Sequence, residues 1–196
     1  MTTSAVPRDV RRLTTERRVS DCAQRLADQH GLDGFTMEDL AGAAGVSRRT
    51  LFNYFPGKLD AILGPGPDLS EEALAIFRAG GPHHDLVEDL AVLAHGLLTD
   101  EALGWDEVAR HRRLLRSSSR LLAAALDRFE LMSERLVEEI LAREGPTFDT
   151  ARARVAIKVL GALFEVSLDG FLADPHQHAV ADLFTDSLRT ARELLA

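Results

Sequence analysis

Apolar residues recur at three- and four-residue intervals along most of the chain, the spacing that gives a helix one buried face. Val19, Cys22, Ala23, Leu26 and Ala27 form the first such stripe, and Gly31 follows it, which predicts a helix from about Thr14 to His30. Met37, Leu40, Ala41 and Ala44 form a second stripe, and Leu51 and Phe55 a short third one. Glycine and proline punctuate the rest: Gly64-Pro65-Gly66-Pro67, Gly80-Gly81-Pro82 and Gly145-Pro146 each stop a helix. Further helices are predicted over about 70–78, 84–98, 104–115, 117–143, 149–173 and 178–195. A fourth helix opening near Pro56 meets the first of these breaks after about two turns, so it is expected to be short. The pattern describes an all-α chain, with a small helical domain over 1–60 and a helical bundle over 61–196.

The densest local signal lies in TMEDLAGAAGVSRRTLFNYFPGK, residues 36–58. Thr36 can cap the first turn of one helix, with Asp39 completing a variant of the capping box. Gly45 stands where the chain must turn, and Val46 plugs the corner. Ser47 can cap the next helix, whose Leu51 and Phe55 face inward at i and i+4. Arg48, Arg49, Thr50, Asn53 and Tyr54 are left near or on the outward side. A helix whose first turn carries two guanidinium groups suits the major groove of DNA, because arginine can donate two bonds to guanine O6 and N7. Thr50 and Tyr54 offer hydroxyls to phosphate, and Asn53 offers an amide to base or phosphate. Lys58 is expected at a helix N-terminus, where its charge and nearby N–H groups can meet one phosphate. The whole string reads as a helix-turn-helix in a three-helix DNA-binding head.

The string GVSRRTLFNYFPGK, behind TMEDLAGAA and a long first helix, resembles the TetR family of bacterial regulators, with the specific likeness covering residues 14–64. The resemblance implies DNA contacts from Thr36, Arg48, Thr50, Asn53, Tyr54 and Lys58. It also implies a C-terminal bundle for ligand binding and dimerisation. Two positions depart from the family pattern. Phe52 stands where tyrosine is frequent, removing one hydroxyl for phosphate, and Gly57 stands where serine or asparagine is common, loosening the cap of the fourth helix.

Charge sharpens the division. Residues 1–60 hold nine Lys and Arg against eight Asp and Glu, while the remainder holds fourteen against twenty-three, so the bundle carries -9, the head +1 and the whole chain -8. An acidic bundle repels DNA and a near-neutral head does not, so binding must rest on placed contacts. Arg8, Arg11, Arg12, Arg17 and Arg18 gather positive charge around the first helix, as a phosphate or minor-groove contact or as a flexible basic tail. With 45% hydrophobic and 28% charged residues, the chain is expected to fold as a soluble globule. No apolar run approaches the ~20 residues of a membrane span, and MTTSAVPRDVRRL lacks a signal-peptide core, which predicts a cytoplasmic location and no membrane partner. Cys22, the only cysteine, sits in the first apolar stripe and reads as core. His83-His84-Asp85 and His176-Gln177-His178 read as solvated turn residues, so no metal or cofactor is expected. No nucleophile elbow, phosphate loop or cofactor fingerprint marks an enzyme.

The helix over 149–173 is apolar on two faces. One holds Val155, Val159, Ala162, Val166 and Phe171, the other Ala156, Leu160, Leu163, Phe164 and Leu168. A helix apolar nearly all round needs a second partner. With Val180, Leu183, Phe184, Leu188, Ala191 and Leu195 of the last helix, it predicts a homodimer through the helices near 149–173 and 178–195. Two heads on a two-fold axis would read a palindromic operator in double-stranded DNA, with half-sites ~34 Å or somewhat more apart. The family resemblance adds a small lipophilic effector, for which His95, Trp105, Phe129, Met132, Phe164 and Leu168 are candidate lining residues. The expected function is a repressor released by that effector. A ligand-independent regulator, or an activator, with the same head is the alternative.

Overall fold

The computed structural model describes residues 8–66, 69–99, 104–174 and 179–195. Within them the regular structure is helical: α1 (Arg8–His30), α2 (Met37–Ala43), α3 (Arg48–Tyr54), α4 (Lys58–Leu63), α5 (Glu71–Arg78), α6 (Leu86–Thr99), α7 (Trp105–Ser117), α8 (Ser119–Glu144), α9 (Thr150–Ala173) and α10 (Val180–Leu195). Two helix starts in the head moved from expectation. α1 begins at Arg8 rather than near Thr14, because the Arg- and Val-containing stretch from Arg8 to Leu13 has no breaker and Pro7 precedes it. α4 begins at Lys58, leaving Pro56 and Gly57 ahead of the helix. Among the described residues, no helix is long and apolar enough to cross a membrane.

The chain forms two compact units. The first takes the chain up to Gly66 together with Ala109–Ala125; the second takes Pro67–Val108 and Leu126–Ala196. The first is therefore larger than a head of residues 1–60, and the chain returns to it. Val19, Ala23, Phe35, Leu40, Leu51, Phe55 and Ile62 form its core together with Leu114 of α7 and Leu121 of α8. Leu51 and Leu121 are both fully buried, and each such side chain contributes about 1.5–3 kcal/mol relative to exposure. Ion pairs reinforce the return: Arg110 to Asp21 at 2.7 Å, Arg113 to Asp28 at 3.0 Å and Arg120 to Asp33 at 3.3 Å. These partners lie 85 to 89 residues apart, so a local apolar pattern cannot announce them.

The second unit packs α5, α6, α8 and α9 around Phe77, Leu90, Leu93, Val137, Ile140, Ala153 and Ile157. α10 lies on α9 and α6 and buries Val180, Ala181, Phe184 and Leu188. One ion pair is wholly inside this unit. Arg143 Nη2 donates to Asp89 Oδ2 at 2.6 Å, with side-chain exposures of 5% and 0%. Asp89 Oδ1 accepts the His83 backbone N–H at 2.7 Å. Arg143 also donates to the carbonyls of Phe77 and Gly80, and its guanidinium lies 4.8 Å from the Phe77 ring centre. Burial works to raise the Asp89 pKa, but the His83 and Arg143 hydrogen bonds outweigh it and hold the carboxyl below its ordinary value.

Candidate nucleic-acid interface

The helix-turn-helix is assembled from short helices, which need local devices to hold them because nucleation is costly. α2 and α3 have seven residues each and α4 has six. The turn into α2 requires Gly34, since a Cβ there would stand 2.0 Å from the His30 carbonyl oxygen. Thr36 then closes a full capping box. Its backbone N–H donates to Asp39 Oδ2 at 2.8 Å, and the Asp39 N–H donates to its hydroxyl at 3.2 Å. Thr36 Oγ1 also donates to Asp39 Oδ2 at 2.7 Å. Bonds from the Thr36 hydroxyl and then its backbone N–H hold the Asp39 carboxyl below its usual pKa. Gly45 takes φ +63° at the turn between α2 and α3, and Ser47 caps α3 by accepting the Thr50 N–H at 3.0 Å. The hydroxyls of Ser47 and Thr50 are 2.7 Å apart, one donating to the other.

α3 buries Leu51 and leaves Arg48, Arg49, Phe52 and Asn53 exposed on one face. Thr50 and Tyr54 are half-buried, and Tyr54 packs against the core of the unit. The two arginines differ. Arg48 Nη1 pairs with Glu38 Oε1 of α2 at 2.7 Å, and its guanidinium carbon lies 5.6 Å from the Phe52 ring centre. Arg49 is exposed and makes no ion pair among the described residues. Sequence reasoning missed Glu38 as a partner. Its only trace was a carboxylate ten residues before the arginine, across a tight turn.

Lys58 opens α4 behind Gly57, which gives no side-chain cap. Its ammonium is already occupied: Nζ donates to the Leu32 carbonyl at 2.6 Å and to the Phe35 carbonyl, and lies 4.5 Å from the Phe35 ring centre. These bonds use two of the three N–H donors of an ammonium. Lys58 therefore ties the start of α4 to the connection between α1 and α2. In the basic segment, α1 carries Arg12, Arg17 and Arg18 as exposed helical residues rather than as a tail, and Arg12 Nε donates to Glu16 at 2.9 Å. The side chains of Arg8 and Arg11 lie outside the described residues, as do His176 and His178.

The expected effector-lining residues distribute over four helices of the second unit. His95 is exposed on α6. Trp105 opens α7, is 41% exposed, and its indole N–H donates to the Leu172 carbonyl of α9 at 3.3 Å. Phe129 is half-buried on α8 against Gly161, where a Cβ would stand 2.8 Å from Cζ, and Lys158 Nζ sits 5.2 Å from its ring centre. Met132, Phe164 and Leu168 are half-buried.

Comparison with known proteins agrees with this geometry. The sequence profile of bacterial regulatory proteins, tetR family, matches residues 21–61, the span from α1 into α4. The chain is 30% identical to MftR of Mycobacterium tuberculosis, a transcriptional regulator named for mycofactocin biosynthesis, over 77% of each chain. It belongs to the TetR family. It is likewise 32% identical to the HTH-type transcriptional regulator TcmR of Streptomyces glaucescens, over 85% of this chain and 78% of that one. The fold is shared with NalD of Pseudomonas aeruginosa, the secondary repressor of the MexAB-OprM multidrug efflux pump, at TM-score 0.54 and 20% identity over 91% of this chain and 96% of that one. A TetR-family protein of Mesorhizobium loti gives TM-score 0.52 at 19% identity, over 97% and 98% of the two chains. The protein is thus a DNA-binding transcriptional regulator of the TetR family, not an enzyme.

Proposed function

We propose that this TetR-family regulator works in the cytoplasm as a homodimer on a palindromic operator, represses from it, and is released by a small lipophilic effector. The observation that carries the DNA reading is the exposed α3 face with Arg48 and Arg49 in its first turn, held by the Ser47 cap. Arg49, exposed and unengaged, is the base reader, and Arg48 joins it through the donors that Glu38 leaves free. Asn53 adds a base or phosphate contact, while Thr36, Ser47, Thr50 and Tyr54 supply hydroxyls along the backbone. Lys58 acts mainly by fixing the turn before α2, with one N–H remaining for a phosphate.

The dimer rests on α9. Val155 is 61% exposed, Val159 42% and Val166 59%, with exposed Ala162 between them, at spacings of four, three and four residues. That is a seam for a matching helix. Phe171, grouped with this face from sequence, is 7% exposed and packs inward; five residues beyond Val166 a helical side chain has rotated by about 140°. The effector would use Phe129, Met132, Phe164 and Leu168, the half-buried members of the candidate set, with Trp105 and His95 at the margin. Release requires that it bind two dimer states unequally.

Selection of bound duplexes from a random pool tests the reading. An inverted repeat with half-sites about one turn or somewhat more apart is expected. Arg49→Ala should then cost about 1–3 kcal/mol and erase the preference at one position of each half-site. Equal loss on every sequence would reassign Arg49 to phosphate. Failure to enrich any duplex would reject the DNA reading.

A further inference from the structure

Glu38 stands out on the reading surface because it is an acid where DNA must approach. It is the second residue of α2, 56% exposed in its side chain, and its carboxylate holds the guanidinium of Arg48, the first residue of α3, at 2.7 Å. The next acid along, Asp39, is engaged through Oδ2 by the Thr36 cap. Glu38 has no such duty in the cap, and its pair with Arg48 bridges the two helices of the motif. Phe52, 41% exposed, lies beneath the same guanidinium. The neighbouring Arg49 has neither restraint.

We infer that Glu38 is a specificity-determining positioning residue, which acts through Arg48 by holding one side of its guanidinium so that the remaining donors are pre-set for a base edge. This rests on the DNA reading above. The pair engages Nη1 of Arg48 and leaves other N–H donors of the guanidinium for DNA. A guanine offers two acceptors that must lie in the guanidinium plane, so it gains from a group already fixed in orientation. A phosphate accepts a guanidinium in almost any orientation and gains little from that fixing. The carboxylate meanwhile weakens the attraction to every phosphate alike, so only the matching site recovers what the charge takes away. In a regulator whose net charge is -8, this lowers the background of non-specific binding without removing either arginine.

The test compares the full-length protein with Glu38→Gln on its selected operator and on a random duplex across a range of salt. Glu38→Gln should tighten binding to the random duplex by about two- to fivefold, with a salt slope steeper by about one per head. Operator binding should change by less, so the ratio of the two affinities falls. In an Arg48→Ala background the same substitution should leave the ratio unchanged, an outcome that a general charge effect would not give. Both side chains are more than half exposed, and a thermal melt within a few degrees of the parent confirms folding. Equal changes on both duplexes, or a fall in the ratio that persists without Arg48, would overturn the inference while leaving the DNA reading intact. A parent protein that binds no duplex fails the reading itself and takes this inference with it.

Discussion

Two exposed helix faces in this protein have opposite chemistry. α3 turns Arg48, Arg49, Phe52 and Asn53 outward, and α9 turns Val155, Val159, Ala162 and Val166 outward. The first is comfortable in water and gains from a partner rich in negative charge and hydrogen-bond acceptors. The second is costly in water and gains from being covered by another apolar surface. Their supports differ as well. α3 has seven residues and stands because Ser47 caps it and Leu51 and Phe55 are buried under it. α9 has 24 residues and is anchored by Ala153, Ile157, Ser167 and Phe171 along its length. The contrast teaches what each face is suited to: polar groups held in place suit a ligand that is read, and bare apolar groups suit one that is packed against.

The largest test breaks the buried ion pair of the unit that carries the apolar face. Asp89→Asn leaves the buried Arg143 guanidinium without its carboxylate and should destabilise the protein by about 3–5 kcal/mol in urea unfolding. A loss below 1 kcal/mol would mean that the pair is not the support it appears from its burial. The same group predicts a pH dependence. Its pKa is depressed in the folded state, so its contribution is complete above the unfolded value of about 4 and is lost as pH falls through the lower folded value. Acid titration of stability should lose that part of its slope in Asp89→Asn. Next, Val159→Glu combined with Val166→Glu should turn a dimer into a monomer in light scattering, without lowering the helix content. Operator affinity should then fall about a hundredfold as the second head is released. A dimer that survives both charges would show that the α9 face is covered by something else. The smallest test addresses α3: Ser47→Ala should cost about 1 kcal/mol of stability and weaken operator binding, since both arginines begin where the cap ends. Unchanged binding would detach the cap from the reading of DNA.

Much of the head was legible because short helices must be specified by residues next to them. Thr36 with Asp39, Gly45 and Ser47 announce two caps and a turn within twelve positions, and the structure places each in the role its chemistry suggested. What lay across the fold was not legible. Lys58 was expected to await a phosphate, but its partners are carbonyls 26 and 23 residues earlier. The Glu38 contact with Arg48 depends on how α2 and α3 cross. Leu114 and Leu121 belong to the first core although they follow it by more than 50 residues in the chain. In the second unit the apolar period located each long helix but not its orientation: it grouped Phe171 with the outward valines, and it gave no sign that Arg143 and Asp89 meet inside.

The lysine at the start of α4 has a mechanical meaning. By gripping the Leu32 and Phe35 carbonyls, it makes the entrance to α2 a passenger on α4. The first turn of α4 and the connection that leads into α2 therefore share one anchor, and a change of this side chain is felt at both. One ammonium thus does the work of a clasp for a stretch too short to hold itself.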